Sequence, residues 1–448
     1  MKKLFLSMGA IAGLAVSALS LTACNNAATE AKIKDANGNE VVIAKTEKAE
    51  DVAKALVVIS QQDGKKIYAV GANLDVNAKV KGKAMGANVE LTASASAEAK
   101  VTIGKNTYTD YSEALAAGLS DEQEQAAINQ IANNIDFEAS ASANAKLKAS
   151  VDKSELATQL GITDQTAIDE AVSNIEKMLN MEASGSAKLF YDEGYGYIEA
   201  SAKLPANIAS MMGVEVTGEE TTTELKKNIK TSETLAESIS GYTAAQISTY
   251  LNAYQTKSLN ELLTSFGVSG NALIDDEELV SVSTSAEDFY ESEMFTQIVA
   301  GIEAAGVTIS SVNGTDVEFT LKANGKLLNQ AYGMFAPRKV SAFDYRAIGG
   351  SLETEEESPL FDENTVYATA KCVIDVQNVL PKSLELSTEK LGDIATIAMG
   401  MSGTQLPVEF TEGNLSIALN FKYDDAVKFE MKKNANITYE SDEQELRK

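Results

Sequence analysis

Val89-Glu90-Leu91-Thr92-Ala93-Ser94-Ala95-Ser96-Ala97-Glu98-Ala99-Lys100-Val101-Thr102-Ile103 alternates apolar and polar residues without a break. A period of two puts every apolar side chain of such a run on one side of an extended strand. Just before it, Leu74, Val76, Ala78 and Val80 alternate with Asp75, Asn77, Lys79 and Lys81, and a glycine-bearing turn near Gly82–Gly86 separates the two runs. The spacing predicts two long antiparallel strands with one face buried.

The pattern recurs downstream. Val89-Glu90-Leu91-Thr92-Ala93-Ser94-Ala95 is echoed by Phe137-Glu138-Ala139-Ser140-Ala141-Ser142-Ala143 and by Met181-Glu182-Ala183-Ser184-Gly185-Ser186-Ala187, 48 and then 44 residues further on. The intervening stretches 109–133 and 154–180 have helical character. Ser154 with Thr158, and Thr163 with Thr166 and Glu170, are their expected starts within the second stretch. A solenoid is one reading of such echoes. A single antiparallel sheet whose strands share one environment is the preferred one. Alanines facing inward bury little area. Either a helix docks closely on such a face or the face lines an open lumen.

Working outward, residues 31–44 read as a hairpin turning at Asn37-Gly38. Asp35, Asn37 and Asn39 imitate the start of a calcium loop, but glycine sits at its fourth position instead of its sixth and Thr46 stands where the closing glutamate is required. A short helix follows, carrying Val52, Leu56 and Val57. Residues 186–205 form a hairpin around Asp192-Glu193-Gly194, and residues 206–304 read as mainly helical. Ile247, Tyr250, Leu251 and Tyr254 fall at helical spacing, and Ser285 with Asp288 resembles a capping box. From Val307 the chain is β again, through Asn313-Gly314, the strand 366–378, Leu380-Pro381, a helix near 388–401, and a closing hairpin in which Leu415–Phe421 turns at Asp424-Asp425 and Val427, Phe429 and Met431 run back. Residues 351–358 form an acidic stretch, read as a solvated insertion in preference to a cation patch. The charged residues 440–448 read as a tail.

Composition excludes several functions. The chain has 448 residues, 44% hydrophobic, with no histidine and no tryptophan. Histidine triads, histidine general bases and histidine metal ligands are therefore absent. The formal net charge is −27, and a surface of that sign repels nucleic acid and anionic headgroups. No nucleic acid partner is expected, and protein partners are not legible. Two cysteines are present, Cys24 and Cys372; the second alternates in phase with Ala368, Ala370, Ile374 and Val376 and reads as a small buried hydrophobe. No phosphate loop, dinucleotide turn or G-x-S-x-G nucleophile motif occurs. Acid clusters such as Asp275-Asp276-Glu277-Glu278 are unremarkable in a chain with 65 acidic residues. The expectation is no enzyme, no catalytic residue, no metal site and no cofactor.

The N-terminus says where the protein resides. Lys2 and Lys3 precede an apolar run, Leu4 to Leu21, followed by small residues and a cysteine, the layout of a secretory signal. Leu21-Thr22-Ala23-Cys24 resembles the bacterial lipobox. That resemblance implies cleavage before Cys24 and acylation of its thiol, against the alternative of an ordinary secretory signal with an incidental cysteine. Each buried methylene contributes about 0.8 kcal/mol, so two chains hold firmly where one does not. The expected organisation is a signal peptide (1–23), a lipidated tether (24–30) and a single body (31–448) that is β-rich over 65–205, helical over 206–304 and β-rich over 305–440.

The expected fold class is α+β: a long curved antiparallel sheet of about eleven strands, half-barrel-like, with helices on one face. This is similar to the LolA/LppX-like lipoprotein carriers, through the helix Glu50–Ser60, the Val376–Leu380-Pro381–Leu386 strand–proline–strand and the segment Phe421-Lys422-Tyr423-Asp424-Asp425-Ala426-Val427. The chain is about twice the length of such a carrier, and its helical middle has no counterpart there. The resemblance implies a cavity that holds an acyl chain. The expected function is a lipid-anchored cell-envelope binding protein, on a cell membrane or outer membrane, contacting the membrane through its acyl chains and carrying an apolar or lipid ligand. The alternatives are a structural or adhesive surface lipoprotein without such a ligand and, behind it, a hydrolase working with carboxylates alone.

Overall fold

The computed structural model describes residues 30–34, 38–62, 65, 67–84, 87–103, 120–133, 135–211, 222–239, 241, 243, 289–329, 360–402 and 408–441. Twelve strands form one open sheet, and a separate hairpin, β1 (Glu30–Lys34) with β2 (Glu40–Ala44), lies beside it. In chain order the remaining elements are α1 (Ala49–Ser60), β3 (Ala69–Ala84), β4 (Ala87–Ile103), α2 (Asp121–Asn133), β5 (Ile135–Val151), α3 (Lys153–Leu160), α4 (Gln165–Leu179), β6 (Met181–Asp192), β7 (Tyr195–Pro205), α5 (Ala206–Met211), β8 (Thr222–Thr234) and α6 (Leu235–Ser238). Then come α7 (Glu293–Ala305), β9 (Val307–Asn313), β10 (Asp316–Asn324), β11 (Val366–Asp375), β12 (Leu380–Thr388), α8 (Leu391–Ser402), β13 (Val408–Tyr423) and β14 (Glu440–Ser441). The spatial order is β14-β8-β7-β6-β5-β4-β3-β13-β12-β11-β10-β9. Every pair is antiparallel except β14 with β8. The echoed segments are thus neighbours in one sheet, β4, β5 and β6, as the preferred reading required.

One transverse row shows how the sheet changes along its width. Ile309, Phe319, Cys372, Leu384, Leu419, Leu74, Ala97, Ala141, Ala187, Ala200 and Lys227 stand opposite one another from β9 to β8. Directly opposed residues share a face. At the β9 end the row is large and buried: Ile309 is 1% exposed and Phe319 5%. Helices α1 and α7 cover it there, placing Val52, Val58, Phe295 and Ile302 in one core with Val317 and Val376. Toward β7 the row becomes alanine.

Helix ends follow the capping rules. Asp152 caps α3, accepting from Ser154 N and Glu155 N, and Asp164 caps α4, accepting from Thr166 N. Asp152 stands two residues before the expected start at Ser154, and Asp164 one residue after the expected start at Thr163. An aspartate accepts from backbone N–H groups and complements the helix dipole. The N-cap of α7 is Ser292, whose hydroxyl accepts from Phe295 N at 3.2 Å, while Gly306 closes the helix in the left-handed region at φ 65°. Ser285 and Asp288, Ile247–Tyr254, Asp275–Glu278, the loop 351–358, and Asp35 with Asn37 lie outside the described residues.

Two expectations need correction. The twelve strands agree with the expected count of about eleven, but β8 lies inside the region read as helical and β14 opens the segment read as a tail. The apolar residues of β8 are only Leu225 and Ile229, and threonines and lysines fill the rest, so alternation is faint. It pairs with β7 along its length and with the two-residue β14 at Ile229 and Lys230. The closing hairpin is also absent: β13 pairs with β3 and β12, and Val427–Met431 forms no strand.

Instead the chain turns through a 3₁₀ segment at Asp424–Ala426 and crosses the polar face as an irregular strap. Val427 lies over Gly71, where even an added Cβ would meet it at an ordinary contact distance of 3.7 Å. Met431 N–H donates to Glu138 Oε1, Lys433 N–H to Asp192 Oδ2 (3.1 Å), and Tyr439 OH to Glu199 Oε1 (2.6 Å). The strap then reaches β8 as β14. Beneath it the stacked rings of Phe190 and Tyr197 are 1% and 3% exposed.

Candidate functional site

The two faces of β4–β7 differ in chemistry. On one, the row Asp75, Ser96, Ser142, Ser186, Ser201, Lys226 crosses from β3 to β8, with Ser96 and Ser142 hydroxyls 2.5 Å apart and those of Ser186 and Ser201 2.9 Å apart. Charges pair across strands on the same face: Lys79 with Glu90 (3.1 Å), Lys146 with Glu182 (2.9 Å) and Lys100 with Glu138 (3.3 Å). Opposite charges facing one another fix register, since a slip by one residue would move every one of them to the other face.

On the other face the rows are Ala97, Ala141, Ala187, Ala200 and Ala95, Ala143, Gly185, Ala202. Ala95, Ala141, Ala143, Ala145 and Ala187 are exposed. The expectation of a buried face over the whole length of β4 is thereby corrected. Methyl groups offer little area, so burying them would contribute little. Larger apolar residues rim this floor. Leu91, Leu147 and Met181 stand opposite one another at one end, and Ala139, Leu189, Ile198 and Ile229 at the other. Leu91 is 44% exposed, Leu189 40% and Ile198 38%. Along β5 the rims are eight residues apart, roughly 27 Å at about 3.4 Å per residue, and β4 to β7 span roughly 14 Å.

Past Leu91, helices α3 and α4 pack Leu156, Ile168 and Val172 on Ala87 and Val151. The sheet is tied to them by side chains: Asn180 Oδ1 accepts from Ala149 N–H (2.7 Å) and Glu176 Oε1 from Val151 N–H (3.3 Å). At the opposite end Phe137 and Tyr191 meet edge to face, 6.3 Å apart.

A concavity of about 630 Å³ opens over the ends of β3–β6, lined by Lys81, Glu90, Lys146, Lys148, Asn180 and Glu182 among others. Its lysines are largely spent on neighbours: Lys81 meets Glu412 at 2.5 Å, which raises the Lys81 pKa and lowers that of Glu412. Paired charges at a surface have little left for a ligand.

Among the described residues the free cysteine is buried and no metal cluster is found. Burial pushes the Cys372 thiol up to about 12, so it stays protonated. No group of three or more acids or cysteines could hold a metal ion among them. Glu385 is 7% exposed with Lys371 Nζ 3.8 Å away; burial raises its pKa, Lys371 opposes that, and Glu318 adds to it. Cys24, the single site residue expected from sequence, lies outside the described residues. No described helix is long and apolar enough to cross a membrane.

Sequence reading located the alanine strands but not that their face stays open. The signal was present in the size contrast between Leu415, Ile417 and Leu419 on β13 and the alanines of β5. It also missed Glu138 as the strap's anchor, which only a residue nearly 300 positions away makes meaningful.

Comparison of the chain with protein-family models returned no match. Comparison with characterised proteins and with solved structures likewise returned none.

Proposed function

We propose that this is a lipid-anchored binding protein of the cell envelope, tethered through acyl chains on Cys24, that carries an apolar or lipid ligand against the open face of β4–β7. In this reading the sheet curves as a half-barrel around that ligand, with helices at its margins. The observation that carries it is the bare floor of alanine and glycine between apolar rims in which Leu91, Leu189 and Ile198 are 38–44% exposed. Monomers seldom leave a contiguous apolar surface open without a use for it. A smooth floor without side-chain knobs suits a flexible chain of methylenes, each worth about 0.8 kcal/mol when buried. The opposite face, covered by paired charges and the strap, offers no comparable surface. The ligand supplies the apolar area that alanines alone do not.

The test is expression of residues 25–448 in bacteria, solvent extraction and mass spectrometry of co-purified lipid, followed by titration with an apolar dye. Bound lipid, and dye binding after its removal, is the expected result. A lipid-free protein with no dye response would overturn the carrier reading in favour of a structural or adhesive lipoprotein. Labelled fatty acid that never enters the native chain would overturn the anchor.

A further inference from the structure

The concavity of about 630 Å³ over the ends of β3–β6 holds one charge that its neighbours leave unmatched. Among its lining residues Lys81, Lys146 and Lys148 face Glu90 and Glu182, an excess of one positive charge in a chain whose formal charge is −27. Both glutamates are matched, Glu90 by Lys79 at 3.1 Å and Glu182 by Lys146 at 2.9 Å, and Lys81 is held by Glu412. Lys148 stands opposite Glu90 in the ladder, but the carboxylate there belongs to Lys79, and the exposed Lys148 ammonium has no acidic partner among the described residues.

Three neutral groups beside it are equally unspent. Asn88 and Ser150 oppose one another in the next row on that face, exposed, and neither side chain has a hydrogen-bond partner among the described residues. Asn180 closes α4 and leads into β6; its Oδ1 accepts from Ala149 N–H at 2.7 Å, which leaves Nδ2 as an unmatched donor among the described residues. Opposed residues lie about 5 Å apart, and alternate residues of one strand about 7 Å apart, so one small ligand can meet all four groups.

We propose that this concavity binds a phosphate group, carried by a small soluble molecule or by a lipid headgroup. An ammonium meets such an anion as a point charge, while the carboxamides and the hydroxyl supply neutral donors. A phosphate monoester presents three strong acceptor oxygens and a carboxylate two, so four donors suit the former. The flanking glutamates repel it little, because each carries its own lysine. Asn88, Lys148 and Ser150 alternate with Val89, Leu147 and Ala149, which puts the site on the opposite face from the alanine floor. It therefore does not rest on the floor's taking up lipid.

The test uses the full chain in mild detergent and phosphorus NMR line broadening, with inorganic phosphate, glycerol 3-phosphate and a short-chain phosphatidylglycerol as probes. Lys148→Ala should weaken binding roughly tenfold, the loss of one charge-assisted hydrogen bond. Asn180→Asp keeps an acceptor for Ala149 N–H while exchanging the donor for a negative charge, so it should abolish binding with circular dichroism unchanged. Lys34→Ala, on the separate hairpin, should bind as the native chain does. Lys148-dependent binding of the two soluble phosphates equal to that of the lipid identifies a soluble ligand; tighter Lys148-dependent binding of the lipid identifies a headgroup. No broadening of any probe would overturn the proposal. So would binding indifferent to both Lys148→Ala and Asn180→Asp, or acetate competing as well as phosphate.

Discussion

Removing the Glu138 carboxylate should free the strap without unfolding the sheet. Glu138 is 3% exposed; its Oε1 accepts from Met431 N–H, and its Oε2 lies 3.3 Å from Lys100 Nζ. A hydrogen bond to a buried charge contributes about 1.5–3 kcal/mol. In Glu138→Ala the Met431 N–H is left without its acceptor only while the strap is down, so opening becomes easier by about that amount. Lys100 is not stranded, because Glu98 remains 3.2 Å away, which places the expected loss near the low end, about 2 kcal/mol. The population of the open strap then rises about thirtyfold. Lys432 and Lys433 stand next to the anchor, so trypsin reports it directly. With reclosing faster than cleavage, the rate of cutting there tracks the open population. Glu138→Gln keeps an acceptor and should speed cutting only about fivefold, for about 1 kcal/mol. A Glu138→Ala chain cut at the native rate, with unchanged circular dichroism, would refute this account of the strap.

Three further outcomes follow from charge and burial. Glu385→Gln should raise the thermal midpoint at pH 7: the folded-state pKa is raised, so the native carboxylate disfavours folding as pH climbs through it, and the gain should vanish below about pH 4. Asp424 behaves oppositely; burial alone would raise its pKa, but Tyr68 N–H, Lys65 and Ala69 N–H together hold it below the usual range. Its contribution is present above the unfolded pKa and lost as pH falls through the folded value, so in acid-unfolding curves Asp424→Ala should destabilise at pH 7 and its effect should fade as pH falls below the ordinary aspartate range. Cys372 should ignore a thiol reagent at pH 8 in the native protein and react once denatured; native labelling would contradict its burial.

Much of the sheet could be read from period alone. β3, β4, β5, β6, β7 and β10 through β13 carry alternation strong enough to survive without neighbours, and the helix near 388–401 appeared as α8 over Leu391–Ser402. What escaped the sequence depended on contacts between distant residues. β8 is a strand because β7 offers it a partner, not because its lysines and threonines insist on it. Val427, Phe429 and Met431 keep the spacing of a strand, yet both edges of β13 are already taken by β12 and β3, so the chain must cross over the sheet. The open floor was half legible: alternation showed that the alanines share a face, but nothing in their order shows what stands over it. The resemblance of Leu21–Cys24 to a lipobox is independent of the fold.

The most direct measurement uses the chain's lack of tryptophan. Ala143 is exposed at the middle of the floor, opposite Ala95 and Gly185, where an indole has room. In Ala143→Trp stripped of lipid, emission should be that of a water-exposed indole, fully open to acrylamide, and lipids with brominated acyl chains should quench it on binding. Blue-shifted emission shielded from acrylamide in the stripped protein, or indifference to brominated chains, would contradict an open apolar floor that takes up lipid.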